Sequence, residues 1–224
     1  LIARAKGFTE NNPKNELAQK GTCILLTTMS PDYFPLIGYI RDVEITKKKD
    51  REKYGLPERP KDPPLEEADG SICLFQIDLT EYEAVISTSK PQTVVSNGNL
   101  FRQWMENNRN YFHYKSESLM DHEFVFASSE YEMARDEYEG IEIEVYYDKK
   151  HPDNVQRMIK GVKRSFDYCT KNFCSFPYRF IRIAEIPNYV HFGARSQPTL
   201  FTWRENAGFI SNLEDPEEID MVFA

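Results

Sequence analysis

Apolar and polar side chains alternate in short runs through the middle of the chain, from residue 71 to residue 147. Alternation with a period of two marks strands that bury one face and wet the other. Cys73, Phe75, Ile77 and Leu79 share one face of the first run. Runs at 82–88, 92–96, 100–105, 111–115, 123–128 and 131–135 follow. The run at 141–147, Ile-Glu-Ile-Glu-Val-Tyr-Tyr, alternates most regularly. Asn97-Gly98 and Asn107-Asn108 separate pairs of these runs. Tight hairpins hold both central residues at positive φ, which Asn and Gly tolerate, so both dipeptides are expected to be hairpin turns. Residues 23–29 form an earlier β-branched run and read as a strand. Residues 34–39 read as an extended segment or turn. Residues 42–54 read as a charged helix with Asp42 as N-cap and Gly55 as stop. Residues 57–70, with four prolines, read as a surface loop.

The period changes near residue 149. Pro152 suits a helical first turn. Val155, Met158, Ile159, Val162, Phe166 and Cys169 then recur at helical spacing, which predicts a helix over 152–172. Short strands are expected around 180–183, 189–192 and 200–203. A further helix is expected to begin in 215–224, where Pro216 and the acidic Glu217, Glu218 and Asp220 suit its positive end. The expected fold is therefore mainly β, then α+β. An antiparallel sandwich or saddle occupies residues 1–148, least clearly over 1–70, and the opening of a helix-containing domain occupies 149–224.

The composition fits a folded domain: 224 residues, 40% hydrophobic and 29% charged. The 13% aromatic content agrees with strand-rich cores. A net charge of −8 argues against general nucleic-acid binding, which needs a basic face. Lys47, Lys48, Lys49, Arg51 and Lys53 form one basic cluster, but Glu44, Asp50 and Glu52 dilute it, so it reads as a solvated helix face. No apolar run approaches the ~20 residues of a membrane span. Neither a signal peptide nor an initiating Met opens the chain, which reads as a piece of a longer protein. Cys23, Cys73, Cys169 and Cys174 lack zinc-ribbon spacing and read as separate core thiols, with a disulfide or metal pair at Cys169 and Cys174 as the alternative.

The chain contains neither H-E-x-x-H nor G-x-S-x-G nor a glycine-rich phosphate loop. His122-Glu123 begins the first of these strings but continues Phe-Val-Phe, so it reads as a strand-edge pair. Glu130, Glu132, Asp136, Glu137 and Glu139 match neither a calcium loop nor a glycosidase pair and read as a solvated hairpin tip.

One segment carries a stronger signal. Leu200-Phe-Thr-Trp-Arg-Glu-Asn-Ala-Gly-Phe-Ile210 resembles the exopeptidase motif G-A-M-E-N-x-G-L-I. Thr202, Trp203 and Arg204 stand at G, A and M, while Glu205, Asn206 and Gly208 match. Its flanks agree in order. Val95-Ser96-Asn97-Gly98 resembles an "A-L-S-N" strand, and Phe124-Val-Phe-Ala-Ser128 resembles "F-A-F". Phe173-Cys-Ser-Phe-Pro-Tyr178 resembles a helix exit "F-G-P-Y-P", and Ile186-Pro187 sits like the "I-P" before the motif. Residues 219–224 look like the lead-in to a zinc helix. Over residues 71–224 the chain thus resembles the aminopeptidase N-like zinc metallopeptidases, the gluzincins. Phe34-Pro-Leu-Ile-Gly-Tyr39 departs from the usual "F-P-C-F-D-E-P" and is more like the branch fused to bacterial permease-type membrane proteins.

The resemblance implies a zinc-dependent aminopeptidase acting on peptides, with a membrane-associated parent. In that frame residues 149–224 open a thermolysin-like catalytic domain that stops before the zinc helix. Glu205 would anchor the substrate's α-amine, with Asn206, Arg204, Trp203 and Thr202 beside it. The chain itself would carry no catalytic residue, hold no metal and be inactive alone. The alternatives are a non-catalytic interaction module with the same fold, and an esterase or epoxide-opening branch.

Overall fold

The computed structural model describes residues 23–27, 45–59, 79–121, 123–188, 190 and 193–211. In chain order these form β1 (Ile24–Thr27), α1 (Lys48–Lys53), β2 (Glu83–Ser89), β3 (Thr93–Ser96), β4 (Asn99–Glu106), β5 (Arg109–Lys115), β6 (Val125–Ser129), β7 (Tyr131–Tyr138), β8 (Ile141–Asp148), α2 (Val155–Asn172), β9 (Phe180–Ile186), β10 (Ala194–Gln197), β11 (Leu200–Arg204) and a 3-10 turn, Glu205–Ala207. The chain is mostly β, followed by a long helix and a mixed sheet, in line with the order of periodicities in the sequence.

The strands make three sheets, in orders β1-β6-β3, β2-β5-β4 and β10-β11-β9-β8-β7. The first two are antiparallel throughout. In the third, β8, β9 and β11 run parallel, and β7 and β10 flank them antiparallel. A parallel pair needs a crossover, and α2 supplies it between β8 and β9.

Three hydrophobic clusters stack these elements into layers. Met158, Ile159 and Phe166 of α2 pack on Ile143, Val145, Ile183 and Trp203 of the five-stranded sheet. On that sheet's other face, Tyr146, Ala184, Ile186 and Leu200 meet Leu25, Val95, Val125 and Ala127 of the β1-β6-β3 sheet. Val94 and Phe126 point the opposite way and join Phe112, Tyr114 and Tyr82 under the β2-β5-β4 sheet. The alternation of Val94 and Val95 thus serves two cores at once.

Several sequence expectations change here. The β8 run was expected to keep one face wet, yet residues 143–146 are all buried. Both faces of the five-stranded sheet are covered, one by α2 and one by a second sheet. β7 pairs with β8 and β8 with β9, so one five-stranded sheet is built from strands on both sides of residue 148. Asn107-Asn108 is a hairpin turn, with φ of 47 and 59. Asn97-Gly98 is not, since β3 pairs with β6 and β4 with β5. Instead the chain switches sheets there. Asn97, fully buried, donates to the Pro198 carbonyl at 2.7 Å and accepts from the Val125 N–H at 2.7 Å. Gly98, at φ +75, lies so close to Lys115 that a Cβ would meet its carbonyl oxygen at 2.8 Å.

The charged helix is shorter than expected and starts after Lys47; Asp42 lies outside the described residues. Arg51 is buried rather than solvated, because its guanidinium donates to the Pro57 and Ile45 carbonyls at 2.8 and 2.9 Å. Of the thiols, Cys23 is buried, but Cys169 and Cys174 are free and exposed at the end of α2, not core thiols. The helical stripe ends at Phe166, and the last turn stands clear of the sheet. Cys73, His122 and residues 189, 191–192 and 215–224 fall outside the described residues. No described helix is long and apolar enough to cross a membrane.

Candidate functional site

Because β8, β9 and β11 are parallel, their carboxyl ends share one edge of the sheet. Ligands of open sheets bind beyond that edge, where backbone and loops diverge. Each strand brings a polar group to it. β8 ends at Asp148, whose N–H donates to Glu185 Oε2 at 2.7 Å. Two bonds fold the link to α2 back: the His151 N–H donates to the Asp148 carbonyl at 2.7 Å, and His151 Nδ1 lies 2.5 Å from Glu185 Oε1. Glu185 stands one residue before the end of β9. Glu205 follows β11 directly and accepts the Asn188 N–H at 3.1 Å. Ligand atoms of His151, Glu185 and Glu205 all lie within 4.8 Å of one another.

The electrostatics are uneven. Among the described residues no Lys or Arg pairs with Glu185 or Glu205; His151 is the only titratable base beside them. The Glu185 side chain is 5% exposed and that of His151 21%. Burial therefore raises the Glu185 carboxyl above its ordinary value, against the opposing pull of the Asp148 N–H and His151. Burial also pushes the Cys23 thiol up to about 12, and the nearby charges of Glu185 and Glu205 add to it.

The Glu185 shift has a sign. A carboxyl whose folded value lies above 4.5 costs no stability while it is protonated in both states, and becomes a cost as pH rises through the folded value. Glu185→Gln keeps the shape, can accept from Asp148 and removes that cost. It is expected to raise Tm at pH 7, by about 2–4 °C per kcal/mol relieved. A thermal melt checks it: an unchanged or lower Tm at pH 7 would show that the carboxylate is not held at a cost.

The motif-like segment divides into buried and open parts. Thr202 is fully enclosed, and Trp203, 9% exposed, belongs to the α2-side core. Arg204 is half-buried and donates to the Val190 carbonyl at 3.3 Å. Glu205 is half-buried, and Asn206 is exposed and gives its carbonyl to Ser211 Oγ at 3.0 Å. So Glu205, Arg204 and Asn206 reach the surface, and Thr202 and Trp203 support them from beneath. Gly208 is needed for packing: a Cβ there would stand 2.8 Å from Met158 Cε and 3.0 Å from Trp203 Nε1.

Sequence reasoning missed four contributors: Glu185, His151, Asn154 and Asn188. Asn154, buried just before α2, donates from Nδ2 to the carbonyls of Gly208, Phe209 and Ser211 at 2.8, 3.2 and 2.9 Å. It pins the turn that carries Glu205. A signal for Glu185 did exist. Ile181-Arg-Ile-Ala-Glu-Ile186 is an otherwise apolar strand with two charges, and a buried charge needs partners.

No family model matches the chain, and no curated protein matches it. Among solved structures, the chain is similar in fold to aminopeptidase A of Legionella pneumophila, solved in complex with aspartic acid. The identity is 15% and the TM-score 0.58, over 70% of this chain and 20% of that protein. The chain thus spans about a fifth of that aminopeptidase's length, and it shares the fold of that part of a peptidase.

Proposed function

We propose that this chain is part of a zinc-dependent aminopeptidase, in which it supplies a β-rich support and one wall of the substrate cleft. The observation that carries this reading is Glu205: a half-buried carboxylate at the carboxyl edge of the parallel strands, held by the Asn188 N–H and paired with no described basic side chain. A carboxylate so placed binds a cation, and the one cation common to all peptide substrates is the free α-ammonium. Anchoring that group fixes which peptide bond reaches the reacting centre, so the enzyme would trim peptides from the amino end. The likeness to a solved aminopeptidase supports the same reading at the level of fold.

Zinc, when bound in such an enzyme, polarises the scissile carbonyl. The described residues do not fit that role. His151, Glu185 and Glu205 are a possible donor set. Yet the 2.5 Å between His151 Nδ1 and Glu185 Oε1 is a hydrogen-bond separation, too short for two ligands on one ion with bonds of about 2.0–2.2 Å. The zinc ligands are therefore assigned to other residues of the complete protein, and this chain to substrate placement.

The test uses the complete gene product and leucine p-nitroanilide. Release of the anilide, loss of that release with a zinc chelator and its return with added zinc are expected. A complete protein with no zinc-dependent release would favour a binding module built on the same fold.

A further inference from the structure

Strand β4 ends the β2-β5-β4 sheet, and among the described residues no strand pairs with its outer side. An edge strand offers a row of unpaired N–H and C=O groups to any chain that can lie beside it. Proteins guard such edges with lysine, proline or a bulge. β4 carries neither Lys nor Pro, and its bulge falls near its start, between Leu100 and Arg102. From residue 102 to residue 106 it runs regularly beside β5. Two large apolar side chains on it are open to solvent, Phe101 at 70% and Met105 at 60% exposure.

The turn fixes which backbone groups are free. Asn107-Asn108 is a two-residue hairpin turn, and such a turn closes on a hydrogen-bonded pair, here Glu106 and Arg109. Bonded and unbonded pairs alternate from there. Trp104 therefore bonds toward Tyr111, and the backbone groups of Gln103 and Met105 point to the open edge. A second β4, laid antiparallel about a two-fold axis at Trp104, sets Trp104 opposite its own copy. Gln103 then meets the partner's Met105 and exchanges backbone bonds with it on both sides of the axis. Arg102 meets the partner's Glu106, also twice. The faces agree, because Arg102, Trp104 and Glu106 lie on one side of the strand and Gln103 and Met105 on the other. Centring the axis on Gln103 or Met105 instead removes the charge pair. Glu106 is exposed and has no basic partner among the described residues. Arg109, across from it on β5, is held by Ser87. Arg102 lies over the Trp104 ring at 5.0 Å, beside the axis.

We propose that β4 is a self-association edge, on which a second copy of this chain pairs strand to strand in the register Arg102 to Glu106. The two β2-β5-β4 sheets then become one continuous sheet, and the exposed edge disappears. The inference does not rest on the reading of Glu205. The β1-β6-β3 layer stands between this sheet and the five-stranded one, so the pairing is made away from the carboxyl edge of β8, β9 and β11.

Sedimentation of the 224-residue chain is expected to show a dimer whose share grows with concentration. Glu106→Arg sets like charges opposite on both sides of the axis and is expected to weaken the dimer about 10- to 100-fold. Arg102→Glu is expected to do the same, and the double exchange Arg102→Glu, Glu106→Arg to recover most of the loss. Cross-linking tests the register. With Cys73, Cys169 and Cys174 replaced by serine, Trp104→Cys brings two thiols across the axis at a Cα separation of about 4.5 Å, within reach of a disulfide. Oxidised glutathione is expected to give a linked dimer on a non-reducing gel. Val85→Cys, equally exposed to solvent but on β2, is expected to stay monomeric.

A wild type that stays monomeric at every concentration overturns the proposal. Slow exchange of the Gln103 and Met105 amides in that monomer would show that another segment of the same chain holds the edge. A dimer indifferent to Glu106→Arg, or one that Val85→Cys links as readily as Trp104→Cys, places the contact elsewhere and overturns the proposal as well.

Discussion

On the proposed aminopeptidase reading, Glu205→Ala in the complete gene product is expected to lower kcat/KM on free-amine peptides by about 30- to 3000-fold. That range follows from about 2–5 kcal/mol for truncating one partner of a hydrogen-bonded charge pair. The loss has two sources in this structure. The Asn188 N–H loses its acceptor, so the loop after β9 loses one of its ties to the turn after β11. On the proposed reading the substrate ammonium also loses its counter-charge. Anchoring of the chain end sets the position of the scissile bond, so kcat should fall along with binding. Glu205→Gln keeps the bond to Asn188 and removes only the charge, so its loss should be smaller. The fold should survive either change, because Glu205 takes no part in a hydrophobic cluster. An alanine variant with wild-type kcat/KM would reduce Glu205 to a surface carboxylate.

The second large effect concerns stability. Arg182 and Glu144 are each 4% exposed and form a buried ion pair at 2.7 Å. Arg182 also donates to the carbonyls of Gly98 at 2.5 Å and Ser96 at 3.4 Å, and lies over the rings of Phe180 and Tyr114. Arg135 bonds the other Glu144 oxygen at 2.5 Å. The pair therefore ties the five-stranded sheet to the point where the chain switches sheets at Asn97-Gly98. Arg182→Ala leaves the Glu144 carboxylate buried with only Arg135 and the Tyr146 hydroxyl, and the Ser96 and Gly98 carbonyls lose the guanidinium. Unfolding in urea should show a loss of about 3–5 kcal/mol. The double variant Arg182→Met, Glu144→Leu removes both charges and should recover most of it. A loss under about 1 kcal/mol for Arg182→Ala would show that the network is not sealed from water.

The same pair sets a pH dependence. Burial alone would raise the Glu144 carboxyl, but Arg182 and Arg135 outweigh it and hold it below 4.5. A depressed folded value contributes stability that is present above 4.5 and lost as pH falls through the folded value. Glu185 works in the opposite sense, because its folded value is raised. The two carboxyls sit on neighbouring strands of one sheet and differ in their partners: Glu144 has two guanidinium groups and the Tyr146 hydroxyl, and Glu185 a histidine and a backbone N–H.

What the sequence made legible follows from how local the cause is. The strand runs at 82–88, 92–96, 100–105 and 111–115 and the helix through Val155, Met158, Ile159 and Phe166 were readable, because side-chain period reports a face to be buried. The exposed Cys169 was misread because the stripe continues one step past the sheet that α2 covers. Sheet membership was not readable. Asn97-Gly98 has hairpin chemistry, and only the distant partners Val125, Pro198 and Thr199 turn it into a crossover between sheets. The pairing of β8 with β9 likewise depends on a crossover helix rather than on any residue in β8. At the candidate site, Glu205 and its neighbours were found through a contiguous motif. Glu185 and His151 were missed because His151 lies 34 residues before Glu185, and Glu185 lies 20 before Glu205. Only the parallel order β8-β9-β11 brings them to one edge.

The most direct measurement compares hydrolysis of a free-amine peptide with that of its N-acetylated form, by the complete gene product and by its Glu205→Ala variant. The expected result is a strong preference for the free amine in the wild type that collapses in the variant, because the free-amine rate falls while the acetylated rate stays where it was. The contradicting result is a preference of equal size in both proteins.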